Sequence, residues 1–372
     1  MPEPRVRLDG ERALAAELIG DDAGSWDLAR RLPIEVLRKL SARGMLCAEV
    51  PARFGGLGAG SLESGELTAH VGSLCSSLRS IMTSQGMAAW AIQRLGDQEQ
   101  RGRYLAELTS GALAAVAFSE PGAGSDLSAV QTQIVRSGDL VVISGEKMWV
   151  TGARYADLLV ILGRLGSGGA AVVVPASAPG VEIEPITDPL GCRAAGHAGV
   201  RLDEVRLPVS SVLGGGGQAL PLIFTTALSY GRLSVAWGCT GIIRACLRAA
   251  AEHAKSRQQS GQPLSQHQLV SRHLAELLVA DQVSTRVCEH ASRCWDSSAQ
   301  DLAVAAVLAK HVSAGQAARS ASAAVQVLAS AGVRDGHVVA RAYRDAKLME
   351  IIEGSNEICQ LILAERALAG SA

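Results

Sequence analysis

The chain has 372 residues, 48% of them hydrophobic, and its 35 Lys and Arg against 36 Asp and Glu give a formal net charge of −1. A chain of this length buries a large core and exceeds the roughly 100–200 residues of one domain, so two or three domains are expected. The near-zero charge excludes a whole-molecule field that draws the protein to nucleic acid or an anionic membrane, and any basic contact must be local.

From about Leu14 to Gly111 the pattern is helical. Pro33 suits the start of a helix carrying Ile34, Leu37 and Leu40 on one side, and Gly44 suits its end. Pro51 to Gly58 reads as a loop. Ala89, Ile92 and Leu95 then recur before Gly96, and Tyr104, Leu105 and Leu108 before Gly111. Between about Leu113 and Pro208 the period changes. Leu140 to Ile143, Leu158 to Leu162 and Ala170 to Val174 are short runs rich in β-branched residues and bounded by Gly or Pro. Val181 to Glu184 and Val200 to Leu207 alternate as half-buried strands do. Gly214 to Gly217 lacks the Lys-Ser/Thr of a phosphate loop and reads as a connector. Ala/Leu-rich helical stretches follow over about 219–256, 266–296, 300–331 and 338–367. The sequence thus predicts an α+β chain with a helical domain over 1–112, a central β domain over 113–213 and a C-terminal helical bundle over 214–372. Without βαβ alternation or an internal repeat, a Rossmann fold is disfavoured.

Eight scattered cysteines form no C-x-x-C pair, which reads as free thiols in a reducing compartment. Cys288, His290 and Cys294 do not share a helical face, so core packing is expected there and no metal. The stretch from Met1 to Asp9 lacks the apolar core of a signal peptide, and Lys310 interrupts the apolar run from Leu302. A soluble cytoplasmic protein is the expectation.

Three segments carry the chemistry. Phe118-Ser119-Glu120-Pro121-Gly122-Ala123-Gly124-Ser125-Asp126 offers backbone N–H groups and hydroxyls to a phosphate or a ring edge. Lys147-Met148-Trp149-Val150-Thr151 sets a Trp, able to cover a flat heteroaromatic face, beside a hydroxyl. Singly, the first is also an ordinary connecting turn and Trp149 also a buried core aromatic. Near the C-terminus, Tyr343 to Lys347 leads into Glu353-Gly354-Ser355-Asn356-Glu357, where Gly354 lets the backbone approach a ligand closely. Glu350 is the competing carboxylate one turn earlier, and Ser355 is also a helix N-cap candidate. Together these segments, with the order helices, strands, helices, resemble the acyl-CoA dehydrogenase superfamily along nearly the whole chain.

The resemblance implies a central β-barrel-like domain, a C-terminal four-helix bundle, FAD as cofactor, and dehydrogenation of an acyl thioester by loss of an α proton and transfer of a β hydride to flavin N5. Such chemistry needs a base in a dry pocket and donors aimed at the thioester oxygen. The interval from Gln326 to Glu353 matches the family's spacing from a flavin-contacting Gln to the catalytic Glu, which selects Glu353 as the base. Phe118, Ser119, Gly124, Trp149, Val150 and Thr151 are implied along the flavin, and Ser125 on its pyrophosphate or on the substrate's carrier arm. Arg257, His267 and Gln268 are implied on the FAD of a neighbouring subunit, although Ser260 stands where the family carries Phe. Gln326 matches, but Ala329-Ser330-Ala331-Gly332 replaces a Gly-Gly-x-Gly. Ser355, Asn356 and Glu357 fall on an adenosine-facing turn, and Gly354, Arg232 and Ser229 near the substrate. A homo-dimer or homo-tetramer with an external electron acceptor is further implied.

Ser229 departs from the pattern, because the family's CoA enzymes carry Asp there to help hold the CoA arm. Its replacement favours a thioester on an acyl carrier protein. Tyr230 to Cys239 and Leu190 to His197 resemble the branch serving methoxymalonyl extender units of polyketide assembly, which implies a carrier-bound glyceryl or hydroxymalonyl-type unit. The alternatives are a catabolic short-chain acyl-CoA dehydrogenase and a flavoprotein-derived scaffold that binds a partner without turnover. Arg244, Arg248 and Lys255 line one helical side, either to meet an acidic carrier protein or as an ordinary solvated face.

Overall fold

Residues 8–370 are described by the computed structural model, and the stretch Met1 to Arg7 lies outside them. Six helices come first: α1 (Asp9–Ile19), α2 (Ala23–Ala29), α3 (Ile34–Ala42), α4 (Ser61–Leu74), α5 (Ser76–Leu95) and α6 (Gln98–Thr109). Pro33 enters α3 in extended backbone, and Gly44 takes a left-handed φ of 68° just beyond its end. Asp97 and Gln100 close a reciprocal capping box at the start of α6. α5 is buried along almost its whole length, so it is an inner wall of the molecule rather than a surface helix.

Seven strands then form one sheet: β1 (Ala114–Ala117), β2 (Gln133–Ser137), β3 (Leu140–Val150), β4 (Leu158–Leu165), β5 (Gly168–Pro175), β6 (Val181–Pro185) and β7 (Ala198–Pro208). The order is β1-β4-β2-β3-β7-β6, with β5 paired to β4. Ile134, Val141, Ile143, Leu159, Ile161, Val172 and Val200 form the apolar layer of this sheet. Where β3 pairs with β7 the register shifts between Lys147 and Val150, and Trp149 takes a φ of 57°. This bulge turns the indole away from the position the pleat would give it.

Gly214 to Gly217 all have positive φ and lead from the sheet to α7 (Leu220–Ser256). A two-stranded hairpin, β8 (Gln258–Gln259) and β9 (Gln262–Pro263), precedes α8 (Gln268–Asp296), α9 (Leu302–Leu328), α10 (Val338–Met349) and α11 (Asn356–Ala369). The helical stretch expected over 338–367 is therefore broken between α10 and α11. The break arises because Glu353 and Gly354 both take positive φ, and because buried Lys310 of α9 donates to the carbonyls of Glu350 (3.3 Å) and Gly354 (2.7 Å) in place of helical N–H groups. α7 meets α4 at close range: a Cβ on Gly241 would lie 2.2 Å from the Ala69 carbonyl oxygen, and one on Gly65 2.1 Å from the Trp237 ring. All eight cysteines are free and buried, and among the described residues no helix is long and apolar enough to cross a membrane.

Candidate active site

A cavity of about 150 Å³ lies between α5, the loop after β1, the bulge of β3 and the turn joining α10 to α11. Phe118, Ser119, Trp149, Val150, Thr151 and Glu353 line it, so the three segments that carry the sequence pattern converge on one space. Trp149 is 54% exposed, which sets aside its reading as a core aromatic. An indole left open in strained left-handed backbone points to a surface kept for a ligand.

Two residues quoted only as part of motifs, Glu120 and Lys147, build the loop's foundation. Lys147 is fully buried and donates to Glu120 Oε1 (2.8 Å), to the Phe118 carbonyl (3.1 Å) and to the Leu162 carbonyl (2.7 Å). Glu120 also accepts from the Gln131 amide (2.6 Å) and from the amide (3.0 Å) and hydroxyl (2.6 Å) of Thr132. Burial pushes the Glu120 carboxyl up, yet the bonds from Lys147, Thr132 and Gln131 hold it below its ordinary value, while burial brings Lys147 down to about 8 against the pull of Glu120. The Met148 amide donates to the Ser119 carbonyl (2.8 Å), which ties the loop to the strand carrying Trp149. A buried ion pair with every oxygen satisfied is a positioning device more than a source of stability. Gly124 and Ser125 lie at the exposed tip of this loop, outside the cavity lining.

Glu353 differs from Glu350 in what its carboxylate touches. Glu350 accepts from Lys347 (3.0 Å) and from the Asn356 side chain (3.3 Å), so it is engaged outside the cavity. Glu353 Oε2 is buried without a hydrogen-bond partner, and the side chain faces the cavity. Burial raises its pKa to about 7, against the pull of Arg232, Lys310 and Arg79. Its left-handed φ of 55° costs about 1–2 kcal/mol in a residue with a Cβ. The surroundings enforce it: Arg232 Nε donates to the Glu353 carbonyl (3.1 Å) while Lys310 holds Gly354. Gly231, next to Arg232 in α7, supplies the room, since a Cβ there would stand 2.4 Å from Glu353 Oε2.

Arg79, His197, Lys310 and Gly231 also shape the site, and the sequence pattern did not single them out for it. His197 is buried, its Nδ1 lies 3.2 Å from Thr151 Oγ1, and its Nε2 has no partner. Burial first, and then the charge of Arg79, lowers its pKa to about 4, so the ring is neutral at pH 7. The Trp149 and His197 rings meet edge-on at 5.9 Å. Ser84 of α5 donates to the Thr151 carbonyl (2.9 Å), fixing the backbone beneath that hydroxyl.

The remaining expected residues fall elsewhere. Arg257 and Gln326 share a second groove of about 610 Å³ with Leu264, Val270, Ala329 and Ser330. His267 bonds the Gln259 carbonyl through Nε2 (3.2 Å), and Gln268 opens α8 exposed to solvent. Ser229 donates its hydroxyl to the Thr225 carbonyl of its own helix (2.9 Å) and does not line the cavity. Ser355 caps α11 by accepting from the Ile358 amide (3.4 Å), Asn356 Oδ1 accepts from Lys310 (3.4 Å), and Glu357 is exposed. The basic face is smaller than expected, because Arg244 is paired with Glu66 (2.8 Å) and Asp281 (3.0 Å). Cys288 packs in the core, but His290 Nε2 reaches Cys294 Sγ (3.7 Å), with Asp301 close by.

Residues 5–112, 115–205 and 222–368 match in turn the N-terminal, middle and C-terminal domains of acyl-CoA dehydrogenase. The fold is similar to that of FkbI for biosynthesis of the methoxymalonyl extender unit of the Fk520 polyketide immunosuppressant, with a TM-score of 0.93 and 58% identity over 96% of this chain and 99% of that one. A glutaryl-CoA dehydrogenase from Mycobacterium smegmatis in complex with FADH2 gives a TM-score of 0.90 at 25% identity, covering 97% of this chain and 95% of that one. The probable acyl-CoA dehydrogenase YngJ of Bacillus subtilis (strain 168) is 31% identical over 362 residues, 95% of either chain.

Proposed function

This chain belongs to the acyl-CoA dehydrogenase family and is an oxidoreductase, and from that premise we propose that it uses FAD to dehydrogenate an acyl thioester, with Glu353 as the base and a carrier-protein-bound glyceryl or hydroxymalonyl-type unit as substrate. One observation carries the reading: a partnerless carboxylate oxygen in a buried wall faces the same cavity as Trp149 and Thr151.

The residues present fit FAD. An open indole beside a hydroxyl and a neutral imidazole with a free, buried Nε2 form a flat surface edged by hydrogen-bonding groups, as an isoalloxazine requires. Trp149 would cover one face, while Phe118, Ser119, Val150 and Thr151 would border the ring. Arg257 and Gln326, in their separate groove, suit the phosphates and nucleotide end of a cofactor reaching over from a second subunit. When bound, FAD supplies the acceptor for the hydride that leaves the β carbon.

The chain's own part is acid–base chemistry and alignment. Near neutral pH a carboxyl with a pKa of about 7 is partly ionised and strong enough to take an α proton made acidic by a thioester. Arg232 and Lys310 grip the turn on either side of Glu353, so the base is placed before substrate arrives. Met87, Val116, Leu348, Met349 and Ile352 keep water from the reacting carbons.

A carrier protein is favoured over free CoA because Ser229 spends its hydroxyl on its own helix and brings no carboxylate to a CoA arm. The 58% identity to FkbI supports a place in extender-unit synthesis. Exposed Leu269, Leu278, Val279 and Val283 on α8 support a homo-oligomer, and reoxidation calls for an external electron acceptor. Flavin reduction by one acyl group presented on carrier protein and on CoA tests the reading. Faster reduction by the carrier thioester is expected, and equal or faster reduction by CoA would return the enzyme to catabolic short-chain chemistry.

A further inference from the structure

Outside the cavity, the turn from α8 to α9 brings three metal-binding side chains together, and none of them lines the space that holds Glu353. The sequence pattern set Cys288 beside His290 and Cys294. The fold separates them: Cys288 turns inward to Thr240 (3.7 Å) and Ser313 (3.5 Å), whereas His290 and Cys294, four residues apart, share one face of α8. The third donor arrives through a Schellman close. Ser298 takes a left-handed φ of 51°, its amide donates to the Trp295 carbonyl (3.0 Å), and the Ala299 amide donates to the Cys294 carbonyl (2.9 Å). The chain therefore folds back over the last turn of α8 and sets Asp301 beside the thiol. Asp301 stands at the N-cap of α9, where an aspartate ordinarily accepts from first-turn amides, yet its carboxylate makes no capping bond.

We propose that His290, Cys294 and Asp301 bind one divalent cation of the zinc class, with water at the fourth corner of a tetrahedron. Imidazole, thiolate and carboxylate together suit zinc, and the thiolate disfavours magnesium and calcium. The spacing agrees with the chemistry. Ligand bonds of about 2.0–2.3 Å at tetrahedral angles put neighbouring donor atoms about 3.4–3.6 Å apart. His290 Nε2 already lies 3.7 Å from Cys294 Sγ, and all three donor atoms fall within 4.8 Å of one another. Closing the set takes about 1 Å of movement from the exposed Asp301 side chain. Cys294 is 7% exposed at the floor while His290 and Asp301 stand open to solvent, so an ion enters from water and sends the thiol's proton out to it. The floor is anchored: Trp295, next in the chain, donates to Glu49 (3.0 Å), and its ring meets that of Trp90 at 4.6 Å. The ion clips the end of α8 to the start of α9. Among the described residues no other group of three such donors occurs.

Metal-free holoenzyme titrated with Zn²⁺ by calorimetry, and with Co²⁺ by difference absorbance against the same protein, tests the site. One zinc ion per chain is expected, and cobalt should bring a thiolate-to-metal charge-transfer band. His290→Ala and Asp301→Asn alter exposed side chains and leave the core untouched, and each should weaken zinc at least about 10-fold, since losing even a partner that only supports a ligand costs that much. Cys294→Ser should abolish the cobalt band and weaken zinc by about 100-fold or more. Absence of saturable uptake overturns the site, and so does zinc affinity unaltered by His290→Ala or by Asp301→Asn, whether or not the buried Cys294→Ser variant folds. Cobalt bound without the charge-transfer band overturns it as well. None of these readouts uses a substrate, so the outcome is independent of the thioester reading.

Discussion

Replacing Gly231 with alanine sets two effects of opposite sign against each other. In the middle of a long helix this change ordinarily stabilises by up to about 1 kcal/mol, because alanine restricts the unfolded chain and glycine does not. Here the new methyl would fall 2.4 Å from Glu353 Oε2, 2.7 Å from its Cδ and 2.8 Å from Met87 Cε, all shorter than real side-chain contacts. Either the helix yields, costing about 1–3 kcal/mol of overpacking, or the carboxylate swings aside. A displacement of about 1 Å in a catalytic group lowers turnover on the order of 100-fold, equivalent to about 2.7 kcal/mol of barrier. Gly231→Ala should therefore keep its FAD spectrum and lose most of its rate of flavin reduction in a stopped-flow assay, with a melting temperature no higher than the parent's. A variant that is more stable and equally fast would refute the placement of the base against α7.

Glu353 also links activity and stability to pH in opposite directions. Burial lifts its pKa from 4.5 to about 7, so kcat/KM of the holoenzyme should rise with pH along a limb near 7 as the base ionises. An acid whose folded pKa exceeds its unfolded value keeps its proton in the native state across that window, so apoprotein stability falls as pH rises through it, by up to about 3 kcal/mol. Glu353→Gln should flatten that slope by about this amount in urea titrations at about pH 5 and pH 7.5, leaving the part that buried Glu49, raised to about 8, and buried Asp345, raised to about 6, contribute, and a slope unchanged by the substitution would assign it to those groups. Lys147→Met removes the cation from buried Glu120 and should cost about 3–5 kcal/mol together with retained FAD. Adding Glu120→Gln should restore part of both, and a single variant with parental stability and FAD content would deny the pair its role as the loop's anchor.

The helices were legible where one face is apolar and punctuation is strong, as with Pro33 and Gly44 around α3 or the glycine run before α7. β1 was hidden because Ala114 to Ala117 are all buried and show no alternation, and β2 because only Ile134 of its five residues faces inward. The break between α10 and α11 depends on Lys310, some forty residues earlier in the chain, so no local pattern announces it. The motif residues of the cavity could be read because they cluster in short segments. Arg79, Lys147 and Lys310 could not, since a charged side chain in a helix or strand looks solvated until the fold shows what surrounds it. Gly231 and Gly238 carry the same lesson: they resemble weak spots in a helix, and their function is the space each leaves for Glu353 and Arg79.

The central claim is that Glu353 takes the proton inside a flavin-bearing cavity. FAD-loaded Glu353→Gln mixed anaerobically with the carrier-bound thioester tests it most directly, followed by the flavin absorbance. The account predicts that the parent bleaches and the variant, equally folded and yellow, stays oxidised for at least about 1000-fold longer. Bleaching of the variant at the parent's rate would contradict it.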